Sequence, residues 1–240
     1  MCGRFALDDK VNKQIEQFVL AGNDYRDWTP DEWDRWKPSW NIAPTQSILA
    51  VIESGKGDQA PVRRLEAARW SFVPSWSASL SLKFPTFNAR TEGMATKPMW
   101  REALKSHRAL IPASGYYEWQ TVGKVKTPYY IRLPDDEMLG LAGLYSWWRD
   151  PKKSEQDESR WVLTATILTS DAVHTLEDIH DRNPVPLPRD WWDDWVNPDL
   201  DGDQAFVDAA VSASLGVAES LQFHQVAPVT GDGPELVKPV

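Results

Sequence analysis

RALIPASGYYEWQTVGKVKTPYYIRLPDDEMLGLAGLY, residues 108–145, decides the fold. Four β-type runs follow one another here, Arg108 to Pro112, Tyr116 to Gln120, Pro128 to Leu133 and Met138 to Tyr145, parted only by short turn-forming stretches. No helix fits between them, so consecutive strands are expected to run antiparallel. Working outward, Ser47 to Ile52 and Arg64 to Phe72 precede this block as further strands, and Trp161 to Thr169 follows it. Helices are expected at its margins. One is capped by Asp8 and carries Val11, Ile15, Phe18 and Val19 on a shared face. Another starts at Pro98 and ends near Lys105; others lie after Asp171, through Trp191 to Trp195, and from Asp203 to about Ser214. The segment from Trp28 to Pro44 shows neither period and reads as a long packed loop. The expected class is α+β, a mainly antiparallel curved sheet or open β-barrel-like core flanked by helices, in one domain spanning residues 1–240. The charged run Asp150 to Arg160 is expected to be a surface excursion within that domain.

The chain has 240 residues, 42% hydrophobic and 25% charged, enough to bury a sizeable core. Leu139 to Trp148 and Trp161 to Leu168 are its longest nearly apolar stretches, well short of the roughly 20 residues of a membrane-spanning helix. With Arg4, Asp8, Asp9 and Lys10 where a secretory signal would be apolar, a cytoplasmic protein without membrane contact is expected. One cysteine excludes an intramolecular disulfide. The four histidines include no HExxH and no i, i+4 pair, and neither metal nor other cofactor is expected. Most of the fourteen tryptophans, among them Trp33, Trp36, Trp40, Trp191, Trp192 and Trp195, are expected to fill the core. The net charge is −9, yet Pro61 to Arg108 holds nine Lys or Arg against three acids. That segment can form a basic groove on an acidic body, or its charges can scatter over the folded surface.

Cys2 is the informative residue. Removal of Met1 leaves a terminal cysteine whose α-amine (pKa near ~8) and thiol (near ~8.5) are both nucleophiles at neutral pH. An aldehyde forms an imine with the amine and is trapped by the thiol as a five-membered thiazolidine. Alternatively, the thiol acts in acyl transfer with the amine as base. Glu118, flanked by Tyr117 and Trp119, is an unusual residue for a buried strand and otherwise an outward-facing one. His180 suits proton transfer or a satisfied core position, and Asn88 suits a turn as well as a site.

Two families begin Met-Cys-Gly. Class II glutamine amidotransferases do, but they present an Asn-Gly turn for the oxyanion, and this chain has no Asn-Gly. The sequence instead resembles the SOS response-associated peptidase (SRAP) family, whose members crosslink to abasic sites in single-stranded DNA. The resemblance rests on Met1-Cys2-Gly3-Arg4-Phe5, Trp40-Asn41-Ile42-Ala43-Pro44-Thr45, Arg69-Trp70 leading to Pro74-Ser75-Trp76, and Asn88-Ala89-Arg90-Thr91-Glu92. It continues through residues 111–119 (IPASGYYEW), Ala142-Gly143-Leu144-Tyr145, Ile167-Leu168-Thr169 and Ile179-His180-Asp181-Arg182. Ser71-Phe72 and Asn183 depart from the family's pattern. The resemblance implies a DNA-damage and repair protein with Cys2 as crosslinking nucleophile and Asn88, Glu118 and His180 around it. It implies that Arg4 and Arg90 hold phosphates, that Trp70 and Trp119 stack on or wedge between bases, and that Thr169 and Pro44 contact the DNA. It further implies an autoproteolytic, hydrolase-type removal of Met1, a lyase-like abasic-site activity, and a monomer acting on single-stranded DNA. An amidohydrolase of the glutamine amidotransferase type and a non-covalent single-strand binder are the competing expectations.

Overall fold

In a computed structural model, residues 2–21, 36–55 and 60–240 are described. Five strands close on themselves. They are β3 (Ser47–Ser54), β4 (Val62–Trp70), β6 (Arg108–Ala113), β9 (Leu139–Arg149) and β10 (Trp161–Asp171). The ring runs β10-β4-β3-β6-β9 and back to β10, antiparallel throughout except for the parallel β4–β10 pair. Closure removes the exposed edges that an open sheet would leave. Where β4 stops, β5 (Asn88–Arg90) takes over as the parallel neighbour of β10, setting Asn88 opposite Ile167 and Arg90 opposite Thr169. β11 (Arg182–Pro184) pairs with the end of β10, and β12 (Pro186–Leu187) with β9.

The second sheet contains β1 (Arg4–Leu7), β2 (Ser39–Ile42), β7 (Gly115–Val122), β8 (Val125–Arg132) and β13 (Gln222–Gln225), in the order β13-β8-β7-β1-β2. The chain passes from β6 into β7 through Ser114, and Gly115 is needed there: a Cβ would lie 2.5 Å from the Tyr130 ring. Side chains alternate across this sheet. Phe5, Tyr116 and Ile131 face the main core, while Ala6, Tyr117 and Tyr130 pack with Val226 into a small second core on the other face.

The helices among the described residues are α1 (Asn12–Ala21), α2 (Arg101–Ser106), α3 (His174–Glu177), α4 (Trp192–Val196) and α5 (Gln204–Ser220). Asp8 caps a short 3₁₀ turn that leads into α1, accepting a hydrogen bond from the Lys10 amide. Val11, Ile15, Phe18 and Val19 are all buried, as their shared face predicts. α2 begins at Arg101, after a turn at residues 98–100, and α5 continues six residues past Ser214.

The α+β class with a barrel-like core is as the sequence predicts, but the long loop is not. Ser39–Ile42 forms strand β2, because Ile42 pairs with Phe5 and Ser39 with Leu7; Trp28 and Trp33 lie outside the described residues. Trp192 and Trp195 are buried, and Trp36 packs half-buried against the core.

The basic segment is not a single surface feature. Arg63 is buried against Glu53 and over the Phe18 ring. Arg108 is also buried and donates to the carbonyls of Leu104, Lys105, Trp195, Asn197 and Leu200. Both cations join elements of the fold, so two of the nine positive charges are not available to a groove. Arg108→Met leaves those carbonyls unpaired and is expected to cost about 3 to 5 kcal/mol, read as a lowered midpoint in denaturant.

Candidate active site

The site lies where the second sheet meets the barrel. Cys2 precedes β1 and is fully buried, and its Sγ donates weakly to the Arg4 carbonyl at 3.8 Å. Asn88, at the start of β5, donates its side-chain amide to the Cys2 carbonyl at 2.7 Å. It therefore fixes the backbone of the chain's start. The buried Asn88 Oδ1 has no hydrogen-bond partner among the described residues.

Glu118 comes from β7, only 3% exposed. Because strand side chains alternate, it shares a face with Tyr116, two residues earlier. Tyr116 is buried beside Cys2 and Glu118, and its hydroxyl has no hydrogen-bond partner among the described residues. Sequence reasoning passed over Tyr116, although the i, i+2 spacing to Glu118 on a strand was the signal for it.

His180 lies between α3 and β11 and is about one-quarter exposed, at 28%. Its Nδ1 is 2.8 Å from an Asp181 carboxylate oxygen and accepts the Arg182 amide at 3.0 Å. The segment is tied to β7 by the Gln120 side-chain amide, which donates to the Asp178 carbonyl at 2.9 Å. Arg182 anchors its far end, buried between Glu92 and Asp171 and donating to the Thr169 carbonyl at 2.6 Å.

Burial raises the Glu118 carboxyl to about 7, and the nearby Asp181 charge adds to the lift. The Cys2 thiol is pushed up by burial first and then by the Glu118 charge, which keeps it neutral. Burial lowers His180, favouring neutral imidazole at pH 7. The result is a thiol beside a carboxyl titrating near neutrality, with a neutral imidazole on the segment tied to β7, groups suited to moving protons during carbonyl addition.

The raised carboxyl has a stability consequence. Folding favours protonated Glu118, so its contribution is fully present below about pH 4.5 and is lost as pH rises through about 7. Glu118→Gln is expected to be more stable than the parent by about 2 kcal/mol at pH 8, with the difference vanishing below about pH 4 in denaturant titrations.

The expected DNA contacts divide. Arg90 is exposed beside Asn88, and Trp119 and Pro44 are partly exposed. Arg4 pairs with Tyr117, which directs it to the sheet face opposite Glu118, where Asn41 accepts from it at 2.5 Å. Trp70 cannot stack on a base here: it is fully buried, edge-on to Phe5 and Phe87, with its indole N–H on the Phe87 carbonyl. Thr169 is likewise fully buried on β10, so its side chain offers no surface to a strand.

A family model described as SOS response associated peptidase (SRAP) matches residues 1–232. The chain belongs to the SRAP family. Among SRAP relatives, the abasic site processing protein YoqW of Bacillus subtilis is 36% identical over 199 residues, covering 82% of this chain and 81% of that protein. The abasic site processing protein YedK of Escherichia coli is 29% identical with both chains fully covered. A crystal structure of a Bacteroides thetaiotaomicron protein superposes at a TM-score of 0.76 over both full chains, and at 20% identity it shows a shared fold alone. No helix among the described residues is long and apolar enough to cross a membrane.

Proposed function

We propose that this protein acts in the DNA-damage response by binding single-stranded DNA and forming a covalent thiazolidine with the ring-opened sugar of an abasic site. The observation that carries the reading is the placement of Cys2 beside Glu118, a carboxyl titrating near 7, with Asn88 holding the Cys2 carbonyl. The names of the SRAP relatives support the abasic site as target.

Removal of Met1 frees the Cys2 amine. The amine nitrogen attacks C1′ of the aldehyde, and the carbinolamine hydroxyl leaves as water after taking a proton from Glu118. The thiol sulfur then bonds to C1′ of the imine while its proton passes through Glu118 to the nitrogen, so one water is released overall. His180 assists opening of the sugar and the reverse reaction. The same two groups serve an autoproteolytic loss of Met1, which gives the peptidase and lyase-like activities one proton-transfer site. The protein acts as a single-domain monomer in the cytoplasm, and Arg90, exposed beside Asn88, binds a phosphate flanking the lesion.

An abasic oligonucleotide is expected to give a band that survives denaturing electrophoresis, whereas the same strand with a reduced, aldehyde-free sugar gives none. Glutamine hydrolysis without such a band would instead favour the amidohydrolase. Non-covalent binding is expected to weaken with salt, each phosphate contact adding about −0.7 to the log-log slope for single strands. Arg90→Ala should remove about one such contact, while Lys105→Ala, on the exposed face of α2, leaves the slope unchanged. Equal effects from the two would contradict the placement of the strand.

A further inference from the structure

The β7–β8 hairpin reaches beyond the sheet that supports it. β1 pairs with β7 only from Gly115 to Tyr117, and β13 pairs with β8 only from Tyr129 to Arg132. From Trp119–Pro128 outward, the two strands pair with each other and with no third strand among the described residues. A two-stranded ribbon has little stability of its own, so its outer residues are not chosen to build a core.

Those outer residues include an apolar pair and two lysines and no acid. Val122 and Val125 face each other at the tip, 67% and 65% exposed, across a turn in which Gly123 takes the left-handed conformation. By the alternation of the strand, Glu118, Gln120 and Val122 share one face, and their partners Tyr129, Thr127 and Val125 share it too. The exposed valine pair therefore lies on the catalytic face, four residues and roughly 13 Å from Glu118 at about 3.3 Å per residue. Residues 119–134 include Lys124, Lys126 and Arg132 and no acid, in a chain of net charge −9. Neither Lys124 nor Lys126 forms an ion pair among the described residues.

We infer that the hairpin tip is a second contact for the polynucleotide, Val122 and Val125 packing on bases of the arm that leaves the reacting nucleotide along β7, with Lys124 and Lys126 drawing in its phosphates. The inference rests on the proposed reaction only for the strand's starting point. At about 3.4 Å per stacked nucleotide, the tip meets the arm roughly four nucleotides from the reacting sugar. The valines contribute desolvated contact that tolerates any base, and the lysines contribute the salt-dependent part.

The test measures binding of undamaged single strands and capture of abasic strands. Each strand set has one arm shortened from eight nucleotides to two, on either side in turn. Shortening the arm on the hairpin side is expected to weaken binding by the parent about 10-fold, and shortening the other arm is expected to matter less. In V122S/V125S the two lengths should bind alike. In K124Q/K126Q the salt slope on the long arm should fall by about 1.4, two contacts' worth. Lys152→Gln, on the exposed β9–β10 connection, should match the parent throughout. Because all these side chains are exposed, matched thermal unfolding is expected to show that the variants fold. Length dependence that survives in V122S/V125S, or an unchanged salt slope in K124Q/K126Q, overturns the assignment. Length-dependent binding without covalent capture would defeat the proposed reaction and leave the hairpin contact standing; capture without length dependence would do the reverse.

Discussion

Cys2→Ala is expected to abolish covalent capture of an abasic strand entirely while leaving affinity for undamaged single strands within about threefold. The asymmetry follows from where each energy resides. Binding of a single strand is dominated by phosphate contacts, to which one buried thiol adds little. The stable ring, by contrast, requires the sulfur. Cys2→Ser keeps the amine, and Asn88 still holds the carbonyl of residue 2, so an imine forms, but no thiazolidine protects it from hydrolysis. A denaturing gel with and without a reducing quench separates the cases: Cys2→Ser should yield adduct only when the imine is reduced in place. A Cys2→Ser adduct as durable as the parent's would remove the ring from the mechanism.

The second large effect concerns the proton movers. Glu118→Gln and His180→Ala are each expected to slow single-turnover crosslinking by roughly 100- to 10,000-fold, the range of positioned acid–base catalysis. If both serve one path, the double variant should lose less than the product of the single losses. The pH profile provides an independent readout. Capture by the parent should change through about pH 7 as Glu118 titrates, and Glu118→Gln should lose that inflection. A purely structural Glu118 would give Gln a normal rate per folded molecule and an unaltered profile. The expected gain in stability of Glu118→Gln at pH 8 makes the distinction sharper, since a slower yet more stable variant cannot owe its defect to unfolding.

Most barrel strands were legible as apolar runs bounded by turn residues, as in Arg108–Ala113 and Leu139–Arg149, and Val62–Trp70 by its alternation of buried and less buried positions. The short strands were not. Arg4–Leu7, Ser39–Ile42 and Gln222–Gln225 have four residues each, and their pairing is fixed by partners distant in the chain. Ser39–Ile42 carries no local period, and only its register with Phe5 and Leu7 makes it a strand.

The site divides along the same line. Terminal-cysteine chemistry singled out Cys2 from residue type alone, and strand alternation contained the signal for Tyr116 beside Glu118. What a linear reading could not give was depth. Trp70 and Thr169 are buried by the barrel's closure, and Arg63 and Arg108 are turned inward by carbonyl and carboxylate partners many residues away. Charge clustered in sequence therefore overstated the basic surface, while the basic, acid-free stretch at the β7–β8 hairpin became notable only once its tip was seen to stand clear of the sheet.

The most direct test is the mass of the intact protein before and after mixing with an abasic oligonucleotide, followed by peptide mapping of the adduct. The account predicts a protein lacking Met1 that gains the mass of the oligonucleotide less one water, with the modification on the peptide beginning at Cys2. A Met1-bearing protein that still forms the adduct, or an adduct mapped to a lysine, would contradict it.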